Sequence, residues 1–173
     1  ECIDRGALRV LDLGTGSGAV ALACKSARHE IAICGTDISE DALRCARLNA
    51  EQLALDADWR CGRWFESVRG EHWDLVVSNP PYIAEADAHL LEGDLPAEPR
   101  IALVGGATGL EALQEIICLT PNALSPGGWL LLEHGFDQAG AVASMLNDAG
   151  FNDVSTRSDW SGQPRITGGQ WAS

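Results

Sequence analysis

Short apolar runs that end in glycine, aspartate or proline alternate along this chain with stretches of helical composition. Leu8 to Leu13 reads as a short strand that breaks at Gly14-Thr15-Gly16-Ser17-Gly18, after which Ala19 to Ala27 has helical composition. Ile31 to Thr36 is a second strand, closed by Asp37. Ser39 is placed to cap a helix over Glu40 to Leu53, which carries acid in its first turn and Arg44 and Arg47 later, as the helix dipole prefers. A third strand near Asp58 to Cys61 is weakly signalled, and a fourth covers Leu75 to Ser78. Ile83 to Gly109 is a long connection, and loops of that length in a compact domain are usually functional or disordered. Helical periodicity returns over Leu110 to Leu124, Pro126-Gly127-Gly128 marks a turn, and Trp129 to Glu133 is a fifth strand. A helix over Gln138 to Ala149 and strands over Phe151 to Thr156 and Ile166 to Trp171 complete the pattern. Strands alternating with helices predict an α/β fold, a parallel sheet covered on both faces.

The fourth strand leads into the most informative chemistry. Ser78-Asn79-Pro80-Pro81-Tyr82 follows the buried run Leu75-Val76-Val77, and the prolines must end the strand. The turn therefore falls at the carboxyl edge, where open α/β sheets bind ligands. Pro80 pushes Asn79 out of helical geometry, so its side-chain carbonyl projects from a stiff backbone. Pro80 adds a carbonyl with no N–H of its own, and Tyr82 a flat face. Such groups can hold a planar amino group by accepting both of its hydrogens. Pro-Pro alone would be only a rigid turn; Asn79 and Tyr82 after a buried strand make it a candidate site.

Glycines 14, 16 and 18 let the backbone pass close to a ligand and turn into a helix whose N-terminus carries partial positive charge. Asp37 is placed to accept hydrogen bonds from both hydroxyls of a ribose. Gly14-x-Gly16-x-x-Ala19, with an acid about twenty residues on, equally satisfies the nicotinamide-dinucleotide fingerprint, so these residues leave two cofactors open. The fourth strand discriminates between them, because a dehydrogenase has no evident use for Asn-Pro-Pro-Tyr there.

At 173 residues the chain is one domain by length. Its net charge of −13 gives no basic footprint for a phosphate backbone and counts against nucleic acid as the direct partner. Cys2, Cys24, Cys34, Cys45, Cys61 and Cys118 form no Cys-x-x-Cys pair and read as reduced, mostly buried small hydrophobes of an intracellular protein. His29, His72, His89 and His134 are equally dispersed, so no metal site is expected. No stretch approaches a membrane-spanning length, and a cytoplasmic location is expected. The chain opens on Glu1 and reaches its first core strand within about ten residues, from which a missing amino-terminal part is expected.

Asn79-Pro80-Pro81-Tyr82 resembles the (Asp/Asn/Ser)-Pro-Pro-(Tyr/Phe/Trp) motif of S-adenosylmethionine-dependent methyltransferases that modify planar nitrogens, and Asp12 to Gly18 looks like their motif I. The order of features resembles more narrowly the protein-(glutamine-N5) methyltransferases that act on peptide-chain release factors. The matching stretches are Val10 to Ala21, Asp37 to Leu53, Asp74 to Ile83, Glu98-Pro99-Arg100 with Gly105-Gly106 and Gly109, Ser125 to Gly135, and Gln163 to Arg165.

The resemblance implies a Rossmann-like class I methyltransferase fold: a seven-stranded, mostly parallel sheet with a terminal antiparallel hairpin and helices on both faces. It implies one catalytic domain over residues 1–173, without the helical amino-terminal domain that helps hold the release factor. It further implies S-adenosylmethionine as cofactor, bound by Asp12, Gly14, Thr15, Gly16, Ser17, Gly18, Asp37 and Asn79, with Trp64 against the adenine. Arg63 departs from the acid often found before that tryptophan. The acceptor glutamine would be held by Asn79, Pro80, Pro81 and Tyr82, of which Asn79, Pro80 and Tyr82 would be catalytic. Glu98 and Arg165 read as fixing the long loop and the terminal hairpin, while Glu133 and His134 lie beside the cleft, a position that does not by itself make a general base. Gly168-Gly169-Gln170 spells the tripeptide that release factors present as acceptor, a coincidence in a terminal strand. The implied partner is a release factor. A ribosomal-protein glutamine or the exocyclic amino group of a base presents the same planar donor, and a non-catalytic cofactor-binding module is the alternative outside enzymes.

Overall fold

The computed structural model describes residues 8–91, 93 and 99–172. Seven strands, β1 (Arg9–Leu13), β2 (Ala32–Asp37), β3 (Asp58–Cys61), β4 (Trp73–Ser78), β5 (Leu124–Glu133), β6 (Phe151–Ser158) and β7 (Pro164–Trp171), form one sheet in the order β3-β2-β1-β4-β5-β7-β6. The first five strands are parallel, whereas β7 runs antiparallel to both β5 and β6. Dinucleotide-binding sheets have the order 3-2-1-4-5-6. Insertion of β7 between β5 and β6 is therefore a structural difference from the competing fingerprint, independent of any single residue.

Central strands are apolar on both faces because helices cover both. On one face Leu11, Leu13, Val76, Leu130 and Leu132 pack with residues of α4 (Glu111–Leu119) and α5 (Ala139–Asp148), among them Leu113, Ile116, Val142 and Leu146. On the other, Val10, Ile33, Leu75 and Val77 pack with Ala21 of α1 (Ala19–Ala27). Leu130 and Leu132 are fully buried, and truncating either to alanine would cost about 2–5 kcal/mol. The second helix, α2 (Glu40–Leu53), begins where predicted because Ser39 Oγ accepts from the Ala42 N–H at 3.2 Å.

β1 is followed in sequence by β2 and β3 on one side of it, and the chain then crosses to place β4 on the other side. This reversal opens a crevice at the carboxyl ends of β1 and β4, where Leu13 lies opposite Ser78. Ser78 Oγ donates to the Leu13 carbonyl at 2.7 Å and pins the two ends together. The glycine loop and the Asn-Pro-Pro turn thus start from adjacent points.

Three segments differ from the sequence reading. Pro126, Gly127 and Gly128 fall within β5, but pairing with β4 jumps from Trp73–Leu124 to Leu75–Trp129, so the intervening residues form a bulge rather than a free turn. Helix α4 stops at Leu119 and passes into a 3-10 turn over Thr120–Asn122, because Pro121 has no N–H to continue it. The long connection after β4 carries a short helix, α3 (Arg100–Leu103), and Ile83 pairs with Val104 in a parallel bridge. Among the described residues no helix is long and apolar enough to cross a membrane. The five described cysteines are free, and Cys45, Cys61 and Cys118 are exposed, which corrects the expectation that most are buried. Cys34 is buried, and desolvation pushes its thiol up to about 12.

Candidate active site

The glycine loop is built from the inside. Asp12, at 2 % exposure, accepts through Oδ2 from Thr15 Oγ1 at 2.6 Å and from the Ala21 N–H at 3.2 Å, tying the end of β1 to the loop and to α1. Burial raises its carboxyl to about 6 against the opposing effect of these hydrogen bonds. Gly14, Gly16 and Gly18 all have positive φ, a conformation that favours glycine. At the end of β2, Asp37 accepts from the Gly16 N–H at 2.9 Å and from the Ser39 N–H at 2.8 Å, so one carboxylate joins the loop to the start of α2.

Beyond β3, Trp64 lies close to Gly14: a Cβ added there would sit 3.4 Å from the indole. Arg63 packs 5.5 Å from the ring and pairs with Glu115 of α4 through Nε–Oε1 at 3.1 Å and Nη2–Oε2 at 2.5 Å. Arg63 holds Glu115 below the ordinary carboxylate range against the opposing effect of burial, while the buried Trp64 indole N–H has no hydrogen-bond partner among the described residues. The cation at position 63 therefore acts as a bridge to α4.

The Asn-Pro-Pro-Tyr turn is shaped by contacts that are distant in sequence. Gly105 N–H donates to the Ile83 carbonyl at 3.0 Å, and Ile83 N–H donates to the Leu103 carbonyl at 3.0 Å. A Cβ at Gly105 would collide with the Pro81 carbonyl, and one at Gly109 with the Tyr82 carbonyl. These close approaches give the two glycines of the long connection a physical purpose. Burial raises the Tyr82 phenol above its ordinary range, Glu133 raises it further and Arg165 opposes both.

A cavity of about 430 Å³ lies along the crevice. Gly14, Gly16, Asp37, Trp64, Asn79 and Pro81 line it, together with residues of α3 and α4. Asn79 is exposed, whereas Pro80 is buried. Asp12, Thr15 and Gly18 are buried, and Ser17 is exposed with its carbonyl accepting from Asn49 Nδ2 at 2.9 Å. Tyr82 is half-buried and packs against the main core cluster, outside the cavity lining. Glu98 lies outside the described residues.

His134 is fully buried, with Nδ1 2.8 Å from the Gly135 carbonyl and Nε2 2.7 Å from Thr167 Oγ1. A carbonyl can only accept, so Nδ1 carries a proton. Both ring nitrogens are occupied structurally, which leaves no free nitrogen for a general base. Arg165 Nε donates to Asp159 Oδ2 at 3.1 Å, and Asp159 also accepts from the Ser161 and Gln163 N–H groups, so Arg165 belongs to the turn of the terminal hairpin. Gln170 of the Gly-Gly-Gln sequence is tied into β7 and donates to the Gly127 carbonyl at 2.8 Å. Sequence reasoning missed Gln138 and Glu115. Glu115 gives no local signal; Gln138 occupies a helix-start position where Ser, Thr, Asp or Asn is preferred, an oddity that could have flagged it.

The sequence matches the methyltransferase small domain family over residues 1–92. Among curated proteins it is 48% identical over 163 residues to the release factor glutamine methyltransferase of Xylella fastidiosa strain Temecula1, covering 94% of this chain and 59% of that protein. It is likewise 48% identical over 165 residues to the release factor glutamine methyltransferase of Yersinia pestis, covering 95% of this chain and 59% of that protein. The chain thus spans about three fifths of the length of these curated relatives. Among solved structures, a methyltransferase from Pyrococcus furiosus superposes with a TM-score of 0.72 at 18% identity, covering 99% of this chain and 82% of that one. The ribosomal protein L11 methylase from Lactobacillus delbrueckii subsp. bulgaricus does so with a TM-score of 0.69 at 20% identity, covering 96% and 73%. These likenesses, with the antiparallel β7, show the class I methyltransferase fold.

Proposed function

Because this chain belongs to the methyltransferase small domain family, we propose that it transfers a methyl group from S-adenosylmethionine to the side-chain amide nitrogen of a glutamine in a peptide-chain release factor. The observation that carries this reading is the convergence of Gly14, Gly16, Asp37, Trp64 and Asn79 on one cavity. Its volume, about 430 Å³, lies in the range of small-molecule sites. The names of the relatives support the acceptor class.

The residues present fit the cofactor. Asp37 presents a carboxylate to a ribose diol, Trp64 a flat apolar face to a purine, and the Gly14–Gly16 backbone allows close approach. When bound, S-adenosylmethionine supplies an electrophilic methyl group on a sulfonium. The residues of the turn then act on the acceptor. An amide nitrogen is a poor nucleophile because its lone pair is delocalised into the carbonyl, so it must pyramidalise as the new N–C bond forms and the S–C bond breaks. Acceptors on Asn79 and Pro80 draw the two N–H bonds into that geometry and aim the lone pair, a positioning effect more than acid–base catalysis. The proton leaves to solvent after transfer, which requires no strong base and agrees with the structural engagement of His134.

The test is incubation with methyl-labelled cofactor and, in separate arms, a release factor, a ribosomal protein and DNA. Label on one glutamine of the release factor, abolished when that glutamine is replaced, is the expected result. Label on the ribosomal protein or DNA alone would move the assignment to that acceptor, and absence of label in all arms would overturn it.

A further inference from the structure

Gln138 is the N-cap residue of α5, yet its side chain makes no capping hydrogen bond to its own helix. Its amide reaches across three other segments instead. Oε1 accepts from the Gly135 N–H at 2.9 Å, while Nε2 donates to the Tyr82 carbonyl at 2.9 Å and approaches the Gly109 carbonyl at 3.4 Å. The partners fix the orientation of the amide, since an N–H must meet the oxygen and carbonyls must meet the NH₂ group. Gln138 therefore holds together the loop after β5, the last residue of the Asn-Pro-Pro-Tyr turn and the segment entering α4. Gly109 lies so close that a Cβ would stand 3.0 Å from Nε2.

The local preference at an N-cap is Ser, Thr, Asp or Asn, each of which would satisfy an N–H of the helix. A glutamine that leaves those groups without a side-chain partner and binds the Tyr82 backbone gives up local helix stability for a long-range tether. We infer that Gln138 is a positioning residue: it fixes the turn that carries Asn79 through the Tyr82 carbonyl and thereby sets where an acceptor amide lies relative to the cofactor cavity. This rests on the proposed acceptor role of the turn. Gln138 does not line the cavity, so its replacement should leave cofactor binding in place.

Two variants separate the elements of the tether. Gln138→Glu keeps an oxygen for the Gly135 N–H but replaces the donor with an atom that repels the Tyr82 and Gly109 carbonyls when ionised. Gln138→Met keeps length and removes both functions. Each should lower kcat for methyl transfer by about 10–100-fold, as an ångström-scale misplacement does, with KM for cofactor and the dissociation constant of S-adenosylhomocysteine changed less than about twofold. Hydrogen–deuterium exchange on the same proteins should accelerate at the Ile83 and Gly105 amides and stay unchanged in β1 and α1. Wild-type kcat in Gln138→Glu, or unchanged exchange at Ile83 and Gly105 in both variants, would overturn the inference. A parallel loss of cofactor binding would also overturn it, because it would mark a general structural role. If the unaltered chain transferred no methyl group, the functional reading would fall, and the exchange measurement would decide the tether by itself.

Discussion

Replacing Asp12 with asparagine should stabilise the protein, by an amount that depends on pH. The carboxyl is 2 % exposed, and burial raises its pKa from the ordinary 3.8 to about 6. At 1.36 kcal/mol per unit this corresponds to about 3 kcal/mol against the ionised form at pH 8. Both hydrogen bonds that the side chain accepts converge on Oδ2. Asparagine can place its single carbonyl oxygen there and its NH₂ group where Oδ1 stood. The folded pKa is raised, so between pH 3.8 and about 6 the native state binds more protons than the unfolded chain. Stability therefore falls as pH rises through that interval, and the full cost is present above it. Asp12→Asn should gain about 1–3 kcal/mol at pH 8, roughly half of that at pH 5, and nothing below the unfolded pKa. Urea unfolding of both proteins at matched pH, read as the difference between them, provides the measurement. A difference that does not vary with pH, or a variant less stable at pH 8, would refute the reasoning that desolvation dominates at this site.

Three further outcomes follow from the same geometry. Asn79→Ala should lower kcat by about 10²–10³ with little change in melting temperature, since the prolines still define the turn; near-normal single-turnover transfer would sink the orienting role. Asp37→Ala should cost about 1.5–3 kcal/mol of cofactor affinity by calorimetry, and an unchanged dissociation constant would make Asp37 only a support for the Gly16 and Ser39 amides. Gly105→Ala places a Cβ against the Pro81 carbonyl and should destabilise the fold by about 1–3 kcal/mol while slowing transfer. A melting curve and a transfer assay that both match wild type would show that the contact yields freely.

Local signals located most of the fold. Helices α1 and α2 fall at their expected residues because Gly18 and Ser39 mark their starts, and β4 ends where Pro80 forbids continuation. What escaped depends on partners remote in sequence. Pro126 to Gly128 read as a turn because nothing local reveals that β4 resumes its pairing at Trp129. The Ile83–Val104 bridge, the Arg63–Glu115 pair and the Gln138 tether each join segments that only tertiary packing brings together. At the site, residue type marked Asp37 and Asn79, but it could not distinguish glycine-loop residues that line the cavity, Gly14 and Gly16, from those buried near it, Thr15 and Gly18.

The tether also gives the protein a temporal order during its own synthesis. The strand that leads into the turn, β4, leaves the ribosome well before either element that shapes the turn, Gly105 to Gly109 or Gln138. Translation at about 5–20 residues per second separates Tyr82 from Gln138 by about 3–11 s. Through that interval β1, β2 and β3 can assemble with their helices, while the crevice beside β4 still lacks its outer wall. A nascent chain stalled before α5 would carry the glycine loop and Asp37 intact but an untethered turn. Competence to act on an acceptor would then arrive only once Gln138 had been made and docked.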